Sequence, residues 1–190
     1  MVFFAIVGMT MYREPIREVP KQEGYTVHFP RVLVNGPAQE TVTQDGETGT
    51  SILSLNQTNI TAVGFTFTFT DNYKLSGVSP AGAEITITSP LGEAKSAICR
   101  PGDVTSAAFW FRPLCTPPDN TTIAAWNQTD AQKKSRNRYP EMMNGTGDWT
   151  VDVKVTREYM TPVHPVVGSI TWSVKSRVES FRLEVSEMYK

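Results

Sequence analysis

Apolar and polar residues alternate along much of this chain. The longest such run, Val63–Thr70, carries phenylalanine at every second position from Phe65 to Phe69, with threonine between. A period of two places one set of side chains on a single face of a β-strand. The same period recurs in 85–88, 149–155, 170–174 and 181–185, whereas no segment has the i, i+3, i+4, i+7 apolar pattern of a capped helix.

Weaker strand signals complete the pattern in 26–34, 51–55, 94–99 and 107–111, and turn-forming residues such as Asn35, Gly36 and Pro37 separate the runs. Eight or nine short strands with threonine-rich outer faces predict an all-β fold, an antiparallel β-sandwich of the jelly-roll or immunoglobulin-like kind. We expect the core to contain Phe65, Phe67, Phe69, Ile85, Ile87, Trp149, Val151, Val153, Trp172 and Leu183. The tryptophans Trp110, Trp149 and Trp172 are all explained by core packing.

The chain of 190 residues suits a single sandwich domain. We assign residues 1–12 to an apolar N-terminal segment, 13–24 to a charged, proline-bearing linker and 25–190 to the sandwich. Residues 38–49 are polar and are predicted to be flexible. Residues 112–146 form the longest irregular stretch, and a loop of that length in a compact domain is usually functional or disordered.

The N-terminal segment Met1–Tyr12 is too short to span a bilayer, which takes about 20 residues. It has neither the basic start nor the small-residue cleavage site of a secretory signal. Three interpretations stay open: the end of a trimmed membrane anchor, a first core strand, or a strand offered to another subunit.

Five Asn-x-Ser/Thr triplets point to an extracytoplasmic protein, at the cell surface or secreted. Each triplet matches the acceptor pattern for N-linked glycans, although threonine is also abundant here as a strand former. The candidate glycosylation sites are Asn56, Asn59, Asn120, Asn127 and Asn144.

The two cysteines, Cys99 and Cys115, are predicted to form a disulfide with Cα atoms about 4.4–6.8 Å apart. Closing so short a loop would contribute roughly 3 kcal/mol. Two buried free thiols are the alternative.

The order of elements in the second half of the chain resembles the P domain that follows the catalytic domain of proprotein convertases. The strand Phe65–Asp71 leads to the Ser-Pro-Leu-Gly turn at Ser89–Gly92, then to Arg100–Asp103, Gly147–Val153 and Val167–Val174. The resemblance covers roughly residues 60–175. The Trp-Gly-Glu segment of the family is absent, and strand 177–189 runs past its usual end. The resemblance implies a jelly-roll fold similar to galactose-binding domains and an accessory role with no active site.

The residues offer little for catalysis or metal binding. Neither His28 nor His164 is accompanied by a Gly-x-Ser-x-Gly nucleophile motif, and both are interpreted as surface residues. Asp148 and Asp152 flank Trp149 but are predicted to lie on a solvated face. We therefore predict no enzyme activity, no catalytic residue, no metal site and no cofactor, with Ca²⁺ at Asp71, Asn72 and Asp103 as an alternative.

Charge is balanced, with 18 Lys+Arg against 19 Asp+Glu, which argues against a nucleic-acid partner. The long loop concentrates cations and aromatic residues, and aromatic and arginine side chains dominate protein interfaces. We predict an interaction surface there, made of Trp126, Lys133, Lys134, Arg136, Arg138 and Tyr139.

These observations favour a non-catalytic, membrane-tethered, extracytoplasmic module that binds a protein partner or serves as an accessory subunit of a surface complex. The membrane contact would run through residues 1–12 if they are a trimmed anchor. One alternative is a self-assembling filament or coat protein joined by insertion of the N-terminal strand into a neighbour. The other is an enzyme with an unrecognised site.

Overall fold

The computed structural model describes residues 21–73, 79–100, 105–157 and 168–188. The predictions for residues 1–12 and for His164 therefore lie outside the described residues. Within them the chain forms eleven strands and one helix: β1 (Glu23–His28), β2 (Arg31–Gln44), β3 (Thr48–Leu55), β4 (Ile60–Asp71), β5 (Gly82–Thr88), β6 (Ala94–Cys99), β7 (Ser106–Phe111), β8 (Thr121–Ala125), α1 (Gln128–Arg138), β9 (Gly147–Thr156), β10 (Ser169–Phe181) and β11 (Glu184–Glu187).

Two four-stranded antiparallel sheets form the sandwich, one in the order β2-β10-β4-β7 and the other in the order β3-β9-β5-β6. The strands β2 to β5 therefore lie alternately in the two sheets, and so do β6, β7, β9 and β10. This is the strand order of a jelly roll with two Greek keys. An immunoglobulin-like sandwich would instead keep its first two strands in the same sheet. The predicted all-β sandwich is confirmed, and its topology is the jelly roll.

The alternating strands bury one face each, as expected from their period. Phe65, Phe67 and Phe69 on β4 lie opposite Ser176, Val174 and Trp172 on the neighbouring β10. On the facing sheet, Ile85 and Ile87 of β5 pair with Val153 and Val151 of β9. Nine of the ten predicted core residues are buried, every one of them at 7% exposure or less.

Leu183 is the exception, because the run 181–185 is not one strand. Phe181 ends β10 and Glu184 begins β11, which belongs to a different sheet and pairs with β1. Leu183 lies at this crossing, half-buried against a small cluster that includes Val27, Phe29 and Phe181. Its predicted place in the main core is therefore wrong.

Trp110 also differs from the other tryptophans, since it packs on the outer face of its sheet. Its ring covers Gly64 on β4, where an added Cβ atom would lie 2.9 Å from ring carbons. The Arg112 guanidinium is 5.6 Å from the centre of the same ring. A glycine is required at this point because the indole lies directly on the backbone.

A cap covers one end of the sandwich and accounts for much of the stretch 112–146 that was predicted to be irregular. It consists of a third sheet, β11-β1-β8, with α1 packed on it. Asn127 caps α1 by accepting a hydrogen bond from the Asp130 amide, but only Ala131 and Ser135 of the helix are buried. So narrow a buried stripe leaves no apolar periodicity in the sequence, which is why the helix was not predicted.

The polar segment 38–49 is mostly strand and not a flexible loop. β2 extends to Gln44 and β3 begins at Thr48, so the connection is a short turn around Gly46. β2 is an edge strand with most side chains exposed, which explains its polar composition. Polarity in this segment reflects solvent exposure on an ordered edge.

The predicted Cys99–Cys115 disulfide is not formed, and both cysteines are free. The Cys99 thiol lies 3.9 Å from the carbonyl of Ser106, and Ser106 pairs with Thr68 of β4. The Cys115 thiol donates to the carbonyl of Ile60, at the start of β4, at 2.9 Å. Thr68 and Ile60 are eight positions apart on β4, about 26 Å of extended strand. That separation is far too large for a disulfide. Burial raises the pKa of both thiols.

Candidate interaction groove

A groove of about 570 Å³ runs between the cap and the end of the sandwich. Its walls come from the last turn of α1, the segment that follows β1, the start of β4 and the crossing from β10 to β11. Volumes of roughly 300–1,000 Å³ are typical of ligand sites. The side chains that characterise it are Phe29, Arg136, Arg138, Tyr139, Phe181 and Arg182.

Three aromatic rings form the apolar floor of this groove. Phe29 packs edge-on against Tyr139 at a centroid distance of 5.0 Å and against Phe181 at 5.9 Å. Each ring stands at the end of an element, because Phe29 follows β1, Tyr139 caps α1 and Phe181 closes β10. Edge-to-face pairs of this kind favour a fixed geometry. The floor is therefore held by three elements that meet only in the folded chain.

Arginine side chains surround the floor. Arg136 and Arg138 lie in the last turn of α1, where the helix dipole favours cations. The Arg138 guanidinium is 5.5 Å from the Tyr139 ring centre, and Arg182 pairs with Glu184 at 2.6 Å. Within the described residues, neither Arg136 nor Arg138 has an acidic partner. These two guanidinium groups are available to an anionic ligand.

Asn59 fixes the wall of the groove that belongs to the sandwich. Its backbone is left-handed, with φ of 56°, a conformation that asparagine tolerates better than most residues. The backbone amide of Asn59 donates to the Met142 carbonyl at 2.7 Å, and its side-chain oxygen accepts from the backbone amide of Met142 at 2.8 Å. The backbone carbonyl of Asn59 accepts from the backbone amide of Phe181. Asn59 thereby joins the start of β4 to the segment after α1 and to the end of β10.

The predicted interaction residues divide into two groups. Arg136, Arg138 and Tyr139 line the groove, and their role in an interaction stays a prediction. The others lie elsewhere on the cap. Trp126 is half-exposed before the start of α1, and Lys133 is exposed on the helix. Lys134 pairs with Asp130 at 3.0 Å and donates to the Ala124 carbonyl, so it holds the cap together.

Asp130 is held in its charged form at the start of α1. Hydrogen bonds from the Trp126 amide and from Lys134 lower the pKa of this carboxyl group below its usual value. The backbone amide of Asp130 donates a hydrogen bond to the side-chain oxygen of Asn127, the N-cap residue of the helix. The cap helix is therefore anchored at both ends, at this network and at Tyr139.

A buried ion cluster lies at the opposite end of the sandwich from the groove. The Arg157 side chain is 1% exposed and binds Asp45 at 2.7 Å and Asp71 at 2.6 Å, which ties the β2–β3 turn to the end of β4. The same guanidinium donates to the Ser79 carbonyl at 2.9 Å. Burial alone would raise the pKa of Asp71. Hydrogen bonds from Arg157 and from the Ala81 and Tyr73 amides outweigh it, so the pKa is lowered.

The ion cluster around Arg157 includes Asp71, one of the residues named above as an alternative Ca²⁺ ligand. Both oxygens of Asp71 already accept hydrogen bonds from Arg157 and from backbone amides, and Asp103 lies outside the described residues. Across the described ranges, no group of three or more His, Cys, Asp or Glu side chains is placed to hold a metal ion.

His28 has a serine neighbour that no local sequence motif indicates. Its Nε2 atom lies 3.1 Å from Ser186 Oγ, and Glu184 is its partner across the β1–β11 ladder. The Glu184 carboxylate binds Arg182 instead, so it does not orient the imidazole in the way a catalytic triad requires. Asp148 and Asp152 accept hydrogen bonds from Ser54 and Thr50 on the outer face of β9.

The candidate glycan acceptors differ in exposure. Asn56, Asn120, Asn127 and Asn144 are exposed, whereas Asn59 is buried and engaged at the groove wall. A glycan on Asn59 is incompatible with this packing. Among the described residues, no helix combines the length and apolar character that crossing a membrane would need.

No protein-family model matches this chain. No curated protein is significantly similar to it either. One similar solved structure is that of infectious bursal disease virus, Gx strain, with 13% sequence identity and a TM-score of 0.33. The alignment covers 82% of this chain and 32% of that one, so this chain spans about a third of that protein's length.

Proposed function

We propose that this protein is a non-catalytic, extracytoplasmic β-sandwich module, tethered to a membrane, that binds a protein partner through the groove between its cap and its sandwich. The observation that carries the proposal is the groove itself: an apolar floor of three aromatic rings beside the guanidinium groups of Arg136 and Arg138, which have no acidic partner in the part of the chain that the structure describes. Binding sites commonly combine an apolar concavity with a few convergent polar groups. The resemblance to P domains favours the same accessory role.

The closed sandwich core favours partner binding over assembly by donor-strand insertion. A subunit that accepts a strand from its neighbour leaves an open apolar groove in its own sheet until that strand arrives. Here the buried residues of the main core cluster are at most 7% exposed, Ala97, Ala107 and Leu114 are half-buried against them, and both sheets of the sandwich have four paired strands. Within the described part of the chain, the core therefore offers no place for an inserted strand.

The proposed extracytoplasmic location rests on the five Asn-x-Ser/Thr triplets. Four of the five asparagines are exposed. Of these four, the side chain of Asn56 is the one for which the structure gives no hydrogen bond among the described residues, whereas those of Asn120, Asn127 and Asn144 bond to neighbouring backbone groups. The free cysteines lend no support to an oxidising compartment, and the tether remains assigned to residues 1–12. Extracytoplasmic exposure and membrane attachment are accordingly parts of this proposal.

Site-specific photocrosslinking in the native host tests the groove. A photoreactive phenylalanine analogue replaces Glu141, an exposed residue that lines the groove. We expect one predominant partner adduct after irradiation, because an analogue at this position reaches a chain seated on the aromatic floor. The adduct is detected as a mass shift and the partner is identified by mass spectrometry.

The matched control carries the same analogue at Glu84, an exposed residue on the outer face of β5. This position should give no partner adduct. Adducts from Glu84 with none from Glu141 would place the partner on a sheet face and contradict the proposal. Adducts that contain only a second copy of the chain would favour the assembly alternative instead.

A further inference from the structure

We propose that the groove takes a linear acidic segment of its partner, with carboxylates at Arg136 and Arg138 and an apolar side chain on the aromatic floor. This inference rests on the proposed function, since it specifies the chemistry of the segment that docks there. Three observations carry it: the charge around the groove, the nature of its floor, and the rigidity of its walls.

The charge around the groove is cationic in a protein whose net charge is −1. Arg136 and Arg138 contribute two positive charges that have no acidic partner among the described residues, whereas the charge of Arg182 is paired with Glu184. Glu141 contributes one negative charge to the lining. The planar guanidinium fork matches a carboxylate in a bidentate geometry, which makes arginine better suited to this role than lysine. An acidic chain is the protein segment that complements this lining.

The floor selects for an apolar side chain between the acidic ones. Tyr139 and Leu183 are half-buried and Met142 is 37% exposed in this lining, so these side chains present apolar surface to a ligand, whereas Phe29 and Phe181 are almost fully buried. Methionine adapts its shape to varied apolar partners. A segment that alternates carboxylates with apolar residues can satisfy the arginines and cover the floor together, whereas a purely acidic chain leaves the floor exposed to water.

The rings are arranged for a peptide and not for nucleic acid. Binding of single strands uses aromatic faces on which bases stack. The Tyr139 ring is edge-on to Phe29 and has Arg138 near its face, while Phe29 and Phe181 are at most 7% exposed. No open stacking face is therefore presented by these three rings. Glu141 in the lining would also repel a continuous phosphate backbone.

The walls are preorganised, which reduces the ordering that binding requires. Asn59 bridges Met142 and the Phe181 amide, and the Tyr139 amide donates to the Ser135 carbonyl at 2.8 Å. Both sides of the groove are thus fixed by hydrogen bonds before a ligand arrives. A linear segment can dock with little change in the backbone.

The test is an NMR titration of the full, ¹⁵N-labelled chain with synthetic peptides. The probe alternates Asp and Glu with Leu and Phe, and a second peptide has the same apolar residues with Lys and Arg in place of the acids. We expect the acidic peptide to shift the amide signals of Tyr139, Met142 and Leu183, and the shifts to shrink at high salt. The basic peptide should leave these signals unchanged.

A charge-matched pair of variants assigns the effect to the groove. Arg136→Gln combined with Arg138→Gln should weaken binding of the acidic peptide about tenfold, because two charge-assisted contacts are lost. Lys154→Gln combined with Lys175→Gln removes the same charge from exposed positions on the outer sheet faces and should leave binding unchanged. Both double variants should unfold at the wild-type temperature, since these side chains are exposed.

Three results would overturn the inference: no shift with the acidic peptide, equal shifts with the basic peptide, or tighter binding of a single-stranded oligonucleotide at the same signals. The photocrosslinking result separates this failure from failure of the proposed function. A partner adduct from Glu141 without acidic-peptide binding keeps the groove as the docking site and rejects the acidic segment as its ligand.

Discussion

Replacing Trp149 with alanine should destabilise the protein by about 3–5 kcal/mol, the usual cost of deleting a fully buried tryptophan. Its side chain has no exposed surface and packs 4.8 Å from Phe111 and 5.1 Å from Phe65, measured between ring centroids. The indole also donates to the Gly145 carbonyl at 2.9 Å, so truncation leaves that oxygen without its partner. Urea unfolding followed by circular dichroism measures the loss.

Two further variants give this prediction its controls. Trp149→Phe keeps much of the ring packing but removes the donor to Gly145, and should cost about 1–3 kcal/mol. Trp126→Ala removes a tryptophan that is 51% exposed, and should change stability by about 0.5 kcal/mol or less. Equal losses for Trp149→Ala and Trp126→Ala would mean that the strand register of β9 is wrong.

Arg157→Met should also destabilise the protein by about 3–5 kcal/mol, because it removes the buried cation that binds the largely buried carboxylates of Asp45 and Asp71. The Arg157 side chain is 1% exposed and ties Asp45 to Asp71 at one end of the sandwich. Arg182→Ala, which breaks an exposed pair, is the control and should cost about 0–1 kcal/mol. Thermal unfolding of both variants compares the two ion pairs directly.

The pH dependence of stability identifies the cause of this loss. The pKa of Asp71 is lowered in the folded state, so the ionised carboxyl group stabilises the fold. This stabilisation is complete at pH values above the pKa that Asp71 has in the unfolded chain, and it is lost as the pH falls through its pKa in the folded protein. The wild-type protein should therefore lose stability below about pH 5. Arg157→Met should lose less, so the two stability curves converge in acid. A constant gap between the curves would show that packing, and not charge, sets the loss.

Much of the sandwich could be predicted because half-buried strands leave a period of two in the sequence. The run Val63–Thr70 is the clearest case, since its phenylalanines share the buried face of a central strand. The same rule failed at Leu183, where an unbroken alternating run spans the crossing between two sheets. It failed in 38–49 because an edge strand such as β2 has little to bury. Local patterns report burial, and they do not report which sheet a strand joins.

The groove was predictable only in part. Arg136, Arg138 and Tyr139 can be predicted as interaction residues because cations and an aromatic residue cluster in the sequence. Phe29 and Phe181 are 152 positions apart, and each reads locally as an ordinary apolar residue at the end of a strand. Their contact depends on the cap being folded against the sandwich, which no local pattern encodes. Asn59 was interpreted as a glycan acceptor, although its buried side chain and positive φ make it a structural residue of the groove wall.

Hydrogen-exchange mass spectrometry tests the central claim most directly, by comparing the protein alone with its complex with the partner captured by crosslinking. The account predicts slower amide exchange on complex formation at 136–142 and 181–183, the segments that line the groove. Exchange should be unchanged around Asp45 and Asp71, at the opposite end of the sandwich. Protection confined to that end, or to the outer faces of the two sheets, would contradict the groove as the docking site.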